Sequence, residues 1–191
     1  MSELRAGERA ARMILLSGRP GVGKTTLVSK VVYMLRRDGY TVGGVCSREI
    51  RSHGVRIGFE MVNLADDSTE ELAGQGTSGP RLGRYKVNLK GLGEFAAPAI
   101  IQALRTSDVV VCDEVGPMEL LSPEFRRALE GLLTSEKPCL VVLHSRMADP
   151  LLEKFKKAED GEQMEVTEQN REILPQEVYV RLVWRLKGFE R

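Results

Sequence analysis

Gly18, four residues, then Gly23, Lys24 and Thr25 satisfy the spacing GxxxxGK[ST] within the stretch GRPGVGKTT. Residue types in that order suit one purpose, the holding of a phosphate chain. Glycines at 18, 21 and 23 let the backbone turn its amides inward, and the helix that follows offers free N–H groups and the positive end of its dipole. Lys24 is then placed to reach the outer two phosphates. The Thr25 hydroxyl would complete the shell of a magnesium ion, which prefers hard oxygen ligands. Arg19 is expected to project outward, because its neighbours' amides do the binding. The plain alternative is a glycine-rich strand-to-helix turn carrying a surface lysine.

Asp113 and Glu114 end the apolar run VVVCDE. A carboxylate after such a run is either exposed at a strand end or expensively desolvated, and Asp113 is expected to be exposed there, holding magnesium directly or through water. Glu114 is the expected water-orienting base, since hydrolysis needs a group that polarises water in line with the terminal phosphate. Solvated charges at a strand end are the alternative for both. His144, Ser145 and Arg146 close another apolar run; Ser145 is the expected contact for the terminal phosphate or the attacking water, and His144 stays outside the catalytic set. Arg48, Arg51 and Arg56 flank a turn and read as a solvated basic face, with nucleotide or partner contact as the alternative. Met118, Phe125 and Trp184 are expected in the core.

These groups need elements to hold them. Met13 to Ser17 is a β-prone run, and Leu27, Val28, Val31, Val32 and Leu35 recur at helical spacing, so the glycine loop joins a strand to a helix. Residues 41–64 read as a β-hairpin, 65–83 as a long surface loop and candidate lid, and RYKVNL as a further strand. A helix is expected over Glu94 to Thr106, a strand over Val109 to Cys112, and a helix from a Ser122–Pro123 start to about Ser135. PCLVVL supplies another buried strand, Asp149–Pro150 opens a helix, Met164 to Val166 is a short strand, and a last helix runs from about Pro175 to Lys187. The alternation predicts an α/β fold: a mostly parallel sheet, helices on both faces and an antiparallel hairpin addition. Ligands of such sheets sit at the carboxyl ends of the strands.

The chain of 191 residues suits a single domain over 13–191 after a polar extension over 1–12 that lacks the apolar core of a signal peptide. Its net charge of +1 carries no nucleic-acid footprint. No apolar run approaches the roughly 20 residues that cross a bilayer, so membrane insertion is not expected. Three cysteines, Cys46, Cys112 and Cys139, are far apart and odd in number, which argues for free thiols in a reduced cytoplasm rather than a disulfide framework or zinc site.

The segments GRPGVGKTTL, SREIRSHGVRIGFEMVNL, GRYKVNL, VVVCDEVGPMEL and VTEQNREILP follow in the order and approximate spacing of the small P-loop nucleoside triphosphatases, the thermophile and cancer-related nucleoside triphosphatases, and the chain resembles that family from about residue 13 to 180. The resemblance implies a P-loop NTPase three-layer sandwich related to the RecA and AAA ATPases. It also implies magnesium-dependent hydrolysis of ATP, GTP, CTP, UTP and TTP with little regard for the base. The family's nucleotide-binding segments fall on Gly18, Arg19, Pro20, Gly21, Val22, Gly23, Lys24, Thr25 and Thr26, and on Val109, Val110, Val111, Cys112, Asp113, Glu114, Val115 and Gly116. The NR motif falls on Asn170 and Arg171, where Arg171 resembles a catalytic residue lying over the bound nucleotide. Several members carry lysine after the glycine of the DE motif, where this chain has Pro117, so if that lysine supports transition-state charge either another group, such as Arg146 or Arg171, acts here or this enzyme is slower. A nucleotide or small-metabolite kinase is the competing enzyme class, disfavoured because the 65–83 loop holds only Arg81. A nucleotide-dependent switch or assembly subunit, with a protein partner, is the non-enzyme alternative.

Overall fold

In the computed structural model, which describes residues 11–188, every strand and helix expected to carry the site is formed. The strands are β1 (Met13–Ser17), β2 (Val42–Ser52), β3 (Val55–Asn63), β4 (Thr69–Gly74), β5 (Arg81–Leu82), β6 (Tyr85–Val87), β7 (Val109–Val115), β8 (Cys139–Leu143) and β9 (Gly161–Glu165). The helices are α1 (Lys24–Arg37), the short α2 (Leu89–Gly91), α3 (Ala97–Thr106), α4 (Pro123–Thr134), α5 (Pro150–Lys156) and α6 (Leu174–Leu186). A five-residue π-helical turn, Leu92–Ala96, joins α2 to α3. The nine strands form one sheet in the order β5-β6-β4-β3-β2-β7-β8-β1-β9. From β2 to β9 neighbouring strands run parallel, and from β2 to β5 they run antiparallel.

The parallel strands read as continuous apolar runs because both of their faces are covered. Met13 and Leu15, Val110 and Cys112, and Cys139 and Val141 pack with α3, α4 and α5 on one side. Ile14 and Leu16, Val109 and Val111, and Leu140 and Val142 pack with α1 and α6 on the other. α1 commits Leu27, Val28, Val31, Val32 and Leu35 to the second layer, each worth about 1.5–3 kcal/mol of apolar burial. The result is the expected three-layer α/β sandwich.

β2 belongs to both halves of the sheet. Its first residues, Val42–Cys46, pair with Val109–Asp113 of β7, while Val45–Ser52 pair with β3. The strand therefore runs on past the carboxyl end of β7. Gly44 makes the close approach between the two strands: its φ is +105°, and a Cβ there would run into the Val111 carbonyl.

Three sequence expectations differ from the fold. Residues 65–83 are not one long loop, since β4 and β5 lie inside the stretch and add to the sheet, with Leu72 and Ala73 buried. Thr69, Glu70 and Glu71 before them are exposed, so the segment's mean polarity hides a strand whose second half is buried. Trp184 is only half-buried, at the solvent side of α6, whereas Phe125 is in the core and Met118 packs against it. Residues 1–10 of the expected polar extension lie outside the described residues, but Arg12 at its end belongs to the fold. It is 3% exposed, and its guanidinium donates to the carbonyls of Leu132 (3.1 Å) and Leu133 (3.0 Å) and to Asp160.

Candidate active site

β1, β7 and β8 are parallel neighbours or next neighbours, so their carboxyl ends meet on one edge of the sheet. There the loop after β1 faces Asp113 and Glu114 of β7 and His144 and Ser145 after β8 across a cavity of about 600 Å³. Gly18, Pro20, Gly21, Gly23, Lys24, Thr25 and Thr26 form its phosphate-loop wall. Gly23 caps α1 with φ +112°, a left-handed conformation that a Cβ would oppose. Lys24, 9% exposed, donates from Nζ to the carbonyl of Gly18 (3.1 Å) and to that of Arg19 (3.3 Å), which holds its ammonium inside the loop. The Arg19 side chain is exposed, as expected, and Val22 packs against the α1 core layer, so neither lines the cavity.

Asp113 is not the exposed strand-end carboxylate that the sequence predicts. It is 2% exposed, because β2 on one side and β8 on the other both extend beside it. Burial pushes its carboxyl up to about 7, against a hydrogen bond from the Thr25 hydroxyl; the neighbouring Glu114 charge raises it further and Lys24 lowers it. Its Oδ2 is buried with no hydrogen-bond partner among the described residues. An orphaned carboxylate oxygen beside a hydroxyl is costly unless a cation completes it, and this pair fits a magnesium ion. Among the described residues no three His, Cys, Asp or Glu side chains are placed to hold one metal ion together, so such an ion would draw its other ligands from phosphate and water, as magnesium commonly does.

Glu114 is half-buried and lines the cavity; its peptide bond with Asp113 is cis. A carboxylate that the sequence reading missed stands beside it. Glu119, in the short 3-10 turn Glu119–Leu121, is 7% exposed and accepts from the Gly116 amide at 3.1 Å through Oε2. Burial raises its carboxyl to about 8, helped by the charges of Glu114 and Asp113 and opposed by backbone amides. A Cβ built on Gly116 would stand 3.2 Å from Glu119 Oε2 and 3.5 Å from Glu114 Oε1, so the two side chains converge over that glycine. The only sequence signal was an acidic residue in the otherwise apolar MELL segment.

Val109, Val110, Val111, Cys112 and Val115 are 0% exposed. They do not touch the cavity as the resemblance implied, but form the sheet interior that positions Asp113, Glu114 and Gly116. Arg171 is also absent from the cavity wall. Its Nη1 makes a long 3.5 Å hydrogen bond to the Val22 carbonyl, and its Cδ lies 3.8 Å from a Cβ built on Gly23, against the outside of the loop. Arg146 is exposed and does not line the cavity either. Arg48 and Arg51 are exposed, as expected of a solvated face, and together with half-buried Arg56 they also line the cavity.

Residues 13–179 match the NTPase family. The chain is 42% identical over 174 residues to the nucleoside-triphosphatase THEP1 of Methanosarcina acetivorans, an alignment covering 91% of this chain and 98% of that one. It is 46% identical to the THEP1 of Pyrococcus abyssi over 134 residues, 70% of this chain and 75% of that relative. In structure it is similar to THEP1 from the hyperthermophile Aquifex aeolicus, with a TM-score of 0.78 at 26% identity over 89% of this chain and 98% of that one. A human cancer-related nucleoside triphosphatase gives 0.75 at 33% identity over 89% and 96%. With the phosphate loop, the carboxylate strand and the sheet that joins them matched along most of its length, the chain belongs to the NTPase family.

Proposed function

We propose that this protein hydrolyses nucleoside 5′-triphosphates to the diphosphate and phosphate, with magnesium and little selectivity for the base. The observation that carries this reading is the phosphate loop facing Asp113 and Glu114 across one cavity. Loop amides and the α1 N-terminus bind the phosphates, and Lys24 swings its ammonium from the loop carbonyls to the β and γ phosphates. Thr25 and Asp113 would hold the magnesium ion, which would supply charge neutralisation for the phosphoryl group being transferred. Glu114 orients a water and takes its proton as the water oxygen attacks the γ phosphorus and the P–O bond to the β phosphate breaks. Ser145, on the cavity wall, donates to the γ phosphate or the water. Arg171, lying along the outer side of the loop, would cover the nucleotide's other end.

An open groove beside Thr26, with Ser29, Lys30, Tyr33, Pro175 and Gln176 in its walls, offers a surface for the nucleoside. Being open, it can hold a ring without reading its edge, which supports low base selectivity. Among the described residues no helix is long and apolar enough to cross a membrane, and the cytoplasmic location belongs to this reading through the free thiols of Cys46, Cys112 and Cys139.

Phosphate release from ATP, GTP, CTP, UTP and TTP with magnesium, in parent and Lys24→Ala proteins, tests the reading. The variant is expected to lose nearly all turnover. ATP and GTP rates should differ by less than about tenfold, roughly 1.4 kcal/mol of transition-state discrimination. Substantial turnover by Lys24→Ala, or a hundredfold preference for one base, would overturn it.

A further inference from the structure

The cavity is larger than a terminal phosphate and its water require. At about 600 Å³ it matches pockets that enclose whole small molecules, about 300–1,000 Å³. Its extra lobe exists because β2 continues past the end of β7: Cys46 is the last residue paired with β7, opposite Asp113, and Arg48 follows two residues on. Lys24, Thr25 and the carboxylates fix the γ end of a bound triphosphate, so its nucleoside leaves toward Thr26. The β2–β3 lobe lies beyond the γ end.

Its wall combines cations with flat apolar surface. Glu49 is fixed between Arg51 and Arg56, accepting from Arg51 Nε at 2.9 Å and from Arg56 Nη1 at 2.7 Å. Arg56 lies over the Phe59 ring, its Cζ 4.9 Å from the centroid, and is held by the Tyr85 hydroxyl at 3.2 Å. Its Cζ is also 5.9 Å from the Tyr85 centroid, so the guanidinium is locked between two aromatic side chains, a cationic and aromatic wall against which a planar heterocycle can stack. Arg48 bonds Glu60 through Nε alone at 2.7 Å, and both its Nη groups make no hydrogen bond among the described residues. That free fork suits a phosphate. Leu72 and Leu82 complete the apolar side.

We propose that this lobe is a second binding site, adjacent to the γ-phosphate end, for a small molecule carrying a phosphate and a planar ring, with a nucleoside monophosphate as the simplest form. The placement rests on the triphosphate reading above. The arginines whose absence from residues 65–83 disfavoured an enzyme with two phosphorylated ligands come instead from the hairpin.

Calorimetric titration of AMP, ribose 5-phosphate and inorganic phosphate tests it, with and without saturating magnesium and a non-hydrolysable ATP analogue, on the parent, Arg48→Gln, Arg56→Lys and Lys24→Ala proteins. One equivalent of AMP should bind with the analogue present. Arg48→Gln should weaken it by about tenfold or more, the cost of a charge-assisted phosphate contact, and leave analogue affinity unchanged. Ribose 5-phosphate should bind more weakly than AMP, and Arg56→Lys should narrow that difference. No AMP binding by protein that binds the analogue overturns the site, as does AMP binding lost in Lys24→Ala but kept in both arginine variants, or ribose 5-phosphate binding equal to AMP. Arg48-dependent AMP binding by protein that does not bind the analogue would sink the triphosphate reading and leave the second site standing.

Discussion

At the scale of single residues, the cavity gathers Asp113, Glu114 and Glu119 against the ammonium of Lys24, and their surroundings separate them. Glu114 is half-exposed on the cavity wall, where the proposed mechanism makes it the base. Glu114→Gln should therefore still bind ATP with magnesium while single-turnover hydrolysis falls by about 10²–10⁴, the usual loss for an acid–base group. Asp113→Asn should instead raise the magnesium concentration needed for activity; a metal titration of the two variants separates the roles. Glu119 serves the fold differently. Its buried carboxyl binds a proton up to about pH 8, against an ordinary value of 4.5, so between those limits the folded state holds more protons than the unfolded one. Stability is then full below about 4.5 and falls as pH rises through 8. Glu119→Gln should flatten that fall, by up to a few kcal/mol, in denaturant titrations at pH 5, 6.5 and 8 without divalent metal. Asp113, raised in the same direction, leaves a residual slope.

At the scale of elements, each functional group is held by a local device. α4, which follows the Glu119 turn, begins at Ser122, whose Oγ accepts from the Phe125 amide at 3.2 Å while Pro123 takes the first helical position, where an N–H is not needed. The Ser122 side chain is fully buried, so water cannot replace the cap. Ser122→Ala should cost about 1–2 kcal/mol, read as a lower urea midpoint with an unchanged slope. β2 has two roles, setting Asp113 through its first half and the arginine wall through its second. Its glycine pair lets it lie close to both α3 and β7, where Cβ atoms would meet Ala103 and Val111.

At the scale of the whole molecule, Arg12 fastens the start of β1 to the end of α4 and to the Asp160 turn before β9. A fully buried guanidinium cannot be removed without orphaning its acceptors, so Arg12→Ala should cost about 2–4 kcal/mol in equilibrium unfolding, and Arg12→Lys, lacking the planar fork, should recover only part. The sequence by itself determined the phosphate loop, the paired strand-end carboxylates, the β2–β3 hairpin and the alternation of buried strands with helices. Each of those is written in local spacing: GxxxxGK[ST], an apolar run closed by DE, a turn at Ser52–Gly54, and periods of two or 3.6 residues. Only the tertiary structure decided that Asp113 is desolvated, that Glu119 joins it, that Arg48 and Arg56 face the cavity and that residues 69–74 are a strand. Burial of a polar group depends on which distant strands extend beside it. Here β2 overruns β7 and β4 finds a partner in β3, and neither event leaves a mark in the residues next to Asp113, Arg48 or Leu72.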